Sequence, residues 1–353
     1  MERGGALLLQ SAETGNAMAA HQLGRLHLYG MLGASSRATG LHWLQRGIEG
    51  GDVSARYTRA VLHCGNENPE GSGWFEDLWA AARSGHPLAW RSLGLLVGQQ
   101  PDAASQGFAH RAFELAAQRS DPVAALLLER RQRAGGHAGS EALPRLDVAH
   151  AERTLSPLPP GAPLRVADSA LTAEEAAYLQ ALAAPLLRPS TASDPLSGSS
   201  VRVPIRTSMD AQIDPLIEDA AMRLLQRRLC SLAGLPSQHA EPMVVLRYRP
   251  GQEYRPHRDV LPPSLLADPV QGHGGQRTAT VISYLNAVDE GGETEFPRWG
   301  QRISPQLGAA LVFHNLRPDG SVEDDSLHSG LPVIRGEKWI ATLWIRERQI
   351  RSF

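Results

Sequence analysis

The feature that most constrains this chain is a repeat in its N-terminal part. Gly15-Asn16-Ala17-Met18-Ala19, Gly51-Asp52-Val53-Ser54-Ala55, Gly85-His86-Pro87-Leu88-Ala89 and Ser120-Asp121-Pro122-Val123-Ala124 begin at residues 15, 51, 85 and 120. A period of about 35 residues is that of stacked helical hairpins, because a single hairpin cannot bury its apolar face without a neighbour. Glycine heads three of the four segments and suits the left-handed residue at which a helix stops. The alanines that follow let paired helices approach closely. The pattern predicts an all-α helical repeat (solenoid) domain over residues 1–134.

These units resemble the Sel-type relatives of the tetratricopeptide repeats. The second unit departs from the first, with Tyr57-Thr58-Arg59 in place of Leu23-Gly24-Arg25, and the last has Ser120 in place of the glycine. The resemblance implies a concave surface for a protein partner; a spacer or a dimerisation module is the alternative. Residues 135–163 read as a linker, from Gly135-Gly136-His137-Ala138-Gly139 to Leu155-Ser156-Pro157-Leu158-Pro159-Pro160-Gly161. Proline there breaks continuous helix and favours extended backbone.

The second domain, residues 164–353, opens with Thr172 as an N-cap and Glu175 three residues later, a capping box. A second helix is expected from about Pro215 to Ala233, with apolar residues near the helical period. After Glu241 the pattern turns to short strands with turn signals. One run, Val244 to Asp259, passes a Pro250-Gly251 turn and places His257 and Asp259 two residues apart. If that end is a strand, residues i and i+2 share a face, so an imidazole and a carboxylate converge. His328 is the candidate third ligand. Two histidines and one carboxylate leave positions open on a non-haem Fe(II), the arrangement used by oxygenases. Lys338 begins an otherwise apolar strand, where a buried ammonium needs an anionic partner.

Residues 164–348 resemble a prolyl 4-hydroxylase-type 2-oxoglutarate and Fe(II)-dependent dioxygenase. The resemblance rests on motifs in order: Arg206-Thr207-Ser208, Tyr248 to Asp259, Gly274 to Arg277, Ser283 to Asn286, Gly291 to Phe296, His328 to Val333 and Gly336 to Trp344. It implies a double-stranded β-helix (jelly-roll) α+β domain whose mouth holds iron on His257, Asp259 and His328. It further implies 2-oxoglutarate as cosubstrate, dioxygen, release of succinate and carbon dioxide, and ascorbate as reductant. Lys338 should pair with the far carboxylate of 2-oxoglutarate, with Tyr248 and Tyr284 hydrogen-bonding the cosubstrate. For either tyrosine the alternative is a hydroxyl satisfied by its own surroundings. Thr294 borders the same pocket without an assigned role. Arg206 and Trp299 are the substrate-facing candidates, although an arginine before two hydroxyl residues also fits an ordinary strand edge. The other histidines, His273 and His314 among them, are read as structural or surface residues.

The repeats favour a protein or peptide substrate, most simply at proline, over the alternatives of a free amino acid or natural-product precursor, or of a non-catalytic scaffold. Composition is that of an ordinary globular chain, with 353 residues, 42% hydrophobic and 20% charged. A formal charge of −2 gives no general attraction for nucleic acid or anionic membrane. Two cysteines, Cys64 and Cys230, make no disulfide framework. The N-terminal apolar run is too short for a signal peptide and no later one approaches a membrane span. The expectation is a cytoplasmic enzyme.

Overall fold

The computed structural model describes residues 2–64, 73–137, 139–144, 154–159, 161–193, 200–201 and 205–351. Contacts group the chain into two units, Met1–Ala151 with Leu216–Leu224, and Glu152–Pro215 with Leu225–Arg351.

The helical unit contains α1 (Glu2–Glu13), α2 (Ala17–Leu28), α3 (Arg37–Glu49), α4 (Val53–Cys64), α5 (Trp74–Arg83), α6 (Pro87–Val97), α7 (Ala103–Ala117) and α8 (Pro122–Arg133). Each packs on the next in sequence. The repeated segments mark the start of the second helix of every pair. Asn16, Asp52 and Asp121 accept hydrogen bonds from the backbone N–H three residues on, at 2.9, 2.6 and 2.7 Å. In the third repeat Pro87 occupies the first turn and His86 gives no side-chain bond. The preceding residue is left-handed in all four, with φ of 96°, 86° and 92° at Gly15, Gly51 and Gly85 and 65° at Ser120. The backbone conformation is therefore retained where the glycine is not, at a strain cost to Ser120. Leu44, Leu78, Leu93, Phe113 and Ala124 are fully buried along the array.

Residues 216–224 lie among these helices, whereas the sequence reading assigns them to the second domain. The expected helix from Pro215 is a 3-10 turn at Pro215–Ile217 followed by an α-helix over Ala220–Ser231. Asp219 caps that helix by accepting from the Met222 N–H at 2.9 Å. Its other carboxylate oxygen accepts from the Arg91 guanidinium at 3.0 and 2.7 Å, and Arg91 also donates to Asp121 at 2.8 Å. All three side chains are buried.

The other unit is antiparallel. Its strands are β1 (Leu164–Ala167), β2 (Arg188–Pro189), β3 (Ala192–Ser193), β4 (Ser200–Val201), β5 (Met209–Gln212), β6 (Val244–Tyr248), β7 (Tyr254–His257), β8 (Arg277–Tyr284), β9 (Glu290–Gly291), β10 (Thr294–Phe296), β11 (Gln301–Ile303), β12 (Ala310–His314), β13 (His328–Gly330), β14 (Val333–Arg335) and β15 (Lys338–Arg346). One sheet runs β1-β12-β8-β15-β6-β5-β2 and another β11-β10-β13-β7; β14-β9 and β3-β4 are short pairs. Leu246, Ile282, Leu311 and Ile340 of the first sheet share a buried cluster with Phe296 of the second. This is the jelly-roll arrangement, with side chains of two sheets meeting in one core. The helix Ala173–Ala183 packs on β5 and β6. Its capping box is formed: Glu175 N–H donates to Thr172 Oγ1 at 3.0 Å and Thr172 N–H to Glu175 Oε2 at 2.8 Å.

Candidate metal centre

Antiparallel pairing of β13 with β7 sets His328 directly opposite His257. Their ring centres are 4.3 Å apart. Asp259 joins them differently from the simple pleat expectation. Strand β7 ends at His257, and Asp259 follows it outside regular structure, so its carboxylate is placed by what it touches. The Thr280 hydroxyl on β8 donates to Asp259 Oδ2 at 2.9 Å and in turn accepts from Asn315 Nδ2 at 2.9 Å. Thr280 and Asn315 are fully buried, so this chain of donors is shielded from water.

The ligand atoms of His257, Asp259 and His328 all lie within 4.8 Å of one another. His257 Nε2 is 3.6 Å from Asp259 Oδ1, and His328 Nε2 is 3.7 Å from Asp259 Oδ2. Each Nδ1 faces a backbone carbonyl at 2.9 Å, Arg255 O for His257 and Ser326 O for His328. A neutral ring donating from Nδ1 carries its lone pair on Nε2, so both rings present a ligand atom to the shared space. Burial, then the neighbouring His328, push His257 down to about 3, which keeps it in the neutral form that binds metal. At Asp259 burial acts upward, but His328, His257 and Arg277 outweigh it and hold the carboxyl below its usual range. Two imidazoles and one carboxylate fit Fe(II) and leave positions open.

The same cavity is lined by Lys338, Tyr248, Arg206, Tyr254 and Thr294. Lys338 is paired across the sheet with Tyr248, and its ammonium lies 5.4 Å from the centre of that ring. It is 2% exposed. Burial pushes its pKa down to about 7, with only partial compensation from Glu293. A cation so placed fits an incoming carboxylate, which would restore its charge.

The other sequence candidates divide. Tyr248 lines the cavity; Tyr284 does not, and its hydroxyl donates to Thr294 Oγ1 at 2.9 Å. Tyr284 therefore reaches the cavity only through Thr294. Arg206 lines the cavity, donates to Thr191 O at 2.9 Å and pairs with Asp210 at 3.3 Å. Trp299 stacks on Phe296 at 5.0 Å and lines a separate groove with His314 and Asp325. Phe296 itself stacks on His328, so Trp299 stands one ring behind the centre. Sequence reasoning passed over Thr280, Asn315 and Tyr254. Thr280 carries a usable signal, since it shares the face of Ile282 and Tyr284 along β8.

Residues 243–346 match the family model of the 2OG-Fe(II) oxygenase superfamily. "Probable prolyl 4-hydroxylase 10" of Arabidopsis thaliana is 34% identical over 200 residues, covering 51% of this chain and 68% of that relative. Prolyl 4-hydroxylase 5 of the same plant is 34% identical over 200 residues, covering 51% of this chain and 67% of its own length. The chain thus spans about two thirds of these relatives. A crystal structure of the viral collagen prolyl hydroxylase of Paramecium bursaria Chlorella virus-1 with 2-oxoglutarate aligns at 29% identity and a TM-score of 0.42. That alignment covers 53% of this chain and 97% of the viral one. With the metal-ligand cluster in place and relatives above 30% identity covered over two thirds of their length, the chain belongs to the prolyl 4-hydroxylase family of 2-oxoglutarate- and Fe(II)-dependent dioxygenases.

Proposed function

We propose that this enzyme hydroxylates a prolyl residue of a protein or peptide, with conversion of 2-oxoglutarate and dioxygen to succinate and carbon dioxide. The observation that carries the reading is one cavity shared by His257, Asp259, His328 and the buried ammonium of Lys338, which Glu293 compensates only in part. Family membership implies Fe(II), 2-oxoglutarate and dioxygen. Bound Fe(II) supplies the oxidative chemistry that couples cosubstrate decarboxylation to oxygen insertion into a C–H bond.

The chain's own residues act around that chemistry. His257, Asp259 and His328 hold the metal. Lys338 pairs with the far carboxylate of 2-oxoglutarate, and Tyr248 walls that end. Tyr284 orients the Thr294 hydroxyl toward the cosubstrate. Arg206, at the cavity wall, is the proposed substrate contact; Trp299 lies outside the cavity and is left out of the assignment. The buried surroundings keep water away from the reacting centre. Prolyl specificity follows the names of the curated relatives, and the helical repeats of residues 1–134, ahead of a 164–353 catalytic domain, favour a macromolecular substrate. Ascorbate is the proposed reductant that keeps iron ferrous. A cytoplasmic location is proposed because both cysteines are buried thiols outside any disulfide; among the described residues no helix is long and apolar enough to cross a membrane.

The test is succinate formation by the Fe(II)-loaded protein with a proline-rich peptide or a host protein extract, followed by mass spectrometry, beside His328→Ala. Peptide-stimulated turnover with one oxygen added at proline supports the proposal. Turnover that adds oxygen only to a free amino acid overturns the substrate class, and no succinate with no iron binding overturns the activity.

A further inference from the structure

The two histidines of the metal centre are held in unequal surroundings. The His328 side chain is 4% exposed and lies against two buried rings, with Phe313 at 4.8 Å and Phe296 at 5.4 Å between ring centres. Those phenylalanines belong to the packed core, and Phe296 and Phe313 also touch each other edge to face at 5.0 Å. His257 sits at the end of strand β7, with its side chain 13% exposed. Its main ring neighbour besides His328 is Tyr254, stacked at 3.5 Å with an angle of 18° between planes.

Tyr254 is itself restrained. The Arg206 guanidinium lies over its ring, 5.0 Å from the centre, and residues 206 and 254 form a β-bridge. Arg206 is anchored in turn by Asp210 and by the Thr191 carbonyl. The hydrogen bond from His257 Nδ1 to Arg255 O sets which nitrogen faces the metal but leaves rocking of the ring about that contact. A ring stacked flat at van der Waals distance removes that freedom, in the way the phenylalanine pair does for His328.

We infer that Tyr254, backed by Arg206, is a positioning residue for the metal ligand His257. The inference rests on the metal-site reading above and adds to it a role for the aromatic ring of Tyr254 rather than its hydroxyl. Tyr254 holds the imidazole plane toward the shared ligand space, so its loss costs metal affinity before it costs cosubstrate affinity.

The test is anaerobic Fe(II) titration of the full chain, with Co(II) absorption as a second readout, on wild type, Tyr254→Phe, Tyr254→Leu and Arg206→Gln. The expectation is metal affinity within about threefold of wild type for Tyr254→Phe and a loss of roughly 10- to 100-fold for Tyr254→Leu. Arg206→Gln falls between them, with a Co(II) spectrum shifted the same way as in Tyr254→Leu; this variant keeps the test open if the leucine variant does not fold. Saturating Fe(II) restores 2-oxoglutarate binding to Tyr254→Leu, because Lys338 is untouched. Wild-type affinity in both Tyr254→Leu and Arg206→Gln overturns the inference while leaving the metal site standing. Equal loss in Tyr254→Phe and Tyr254→Leu also overturns it, since the hydroxyl would then be what matters. Absence of stoichiometric Fe(II) binding by the wild type overturns the metal-site reading itself.

Discussion

The Lys338 ammonium and the Tyr248 ring face each other at 5.4 Å across adjacent strands, in the cavity that also holds the three metal-ligand side chains. Burial pushes the lysine toward losing its proton more readily than in water, and a ring face is too weak a partner to offset it.

The first consequence is a pH dependence of cosubstrate affinity. In the free protein Lys338 titrates at about 7, so below that pH the ammonium is already present and affinity is flat. Above it a proton must be taken up on binding the carboxylate, and 2-oxoglutarate affinity should fall by up to about tenfold per pH unit. Calorimetry at pH 6 to 9, in buffers of different ionisation enthalpy, should show proton uptake that disappears in Lys338→Met. A flat profile in the wild type would refute the assignment of Lys338.

Lys338→Met should also be more stable than the wild type without ligand. A buried ammonium with an incomplete partner is replaced by an apolar chain of similar length, which removes the cost of holding the charge out of water. Chemical denaturation should give a higher midpoint together with lost 2-oxoglutarate binding. A lower midpoint would mean that the lysine is better compensated than its surroundings indicate.

Thr280→Val should keep the fold and weaken the metal site. The substitution conserves shape but removes the donor to Asp259 Oδ2 and leaves Asn315 Nδ2 without that acceptor. Metal affinity should drop by roughly 10- to 100-fold, against near-complete loss in Asp259→Ala. Equilibrium dialysis of Fe(II) or Mn(II) decides it.

Asp219→Ala should destabilise the helical unit. It strips the buried Arg91 guanidinium of two of its hydrogen bonds and uncaps the helix that starts at Ala220. Breaking a buried pair on one side costs about 3–5 kcal/mol. Hydrogen exchange of α6 and α8 should accelerate, and Arg91→Met combined with Asp219→Leu should recover much of the loss.

Much of this protein is legible along the chain because the relevant information is local or periodic. The hairpin repeat, its left-handed cap positions, the capping box at Thr172 and Glu175, the two strand histidines and Lys338 are each announced by residue type and spacing. Even Ser120 could be placed by period where its side chain gave no signal. What the tertiary structure decided are the relationships between segments far apart in sequence. Asp259 reaches the metal centre beyond the end of its strand because Thr280, on another strand, holds it. Tyr284 turns to Thr294, and Phe296 comes between Trp299 and His328. Residues 216–224 join the helical unit, where Asp219 meets the buried Arg91. No spacing rule foretells such contacts: each is chosen by which donor meets which acceptor when separate elements pack, and an unpaired buried group costs too much for the alternatives to persist.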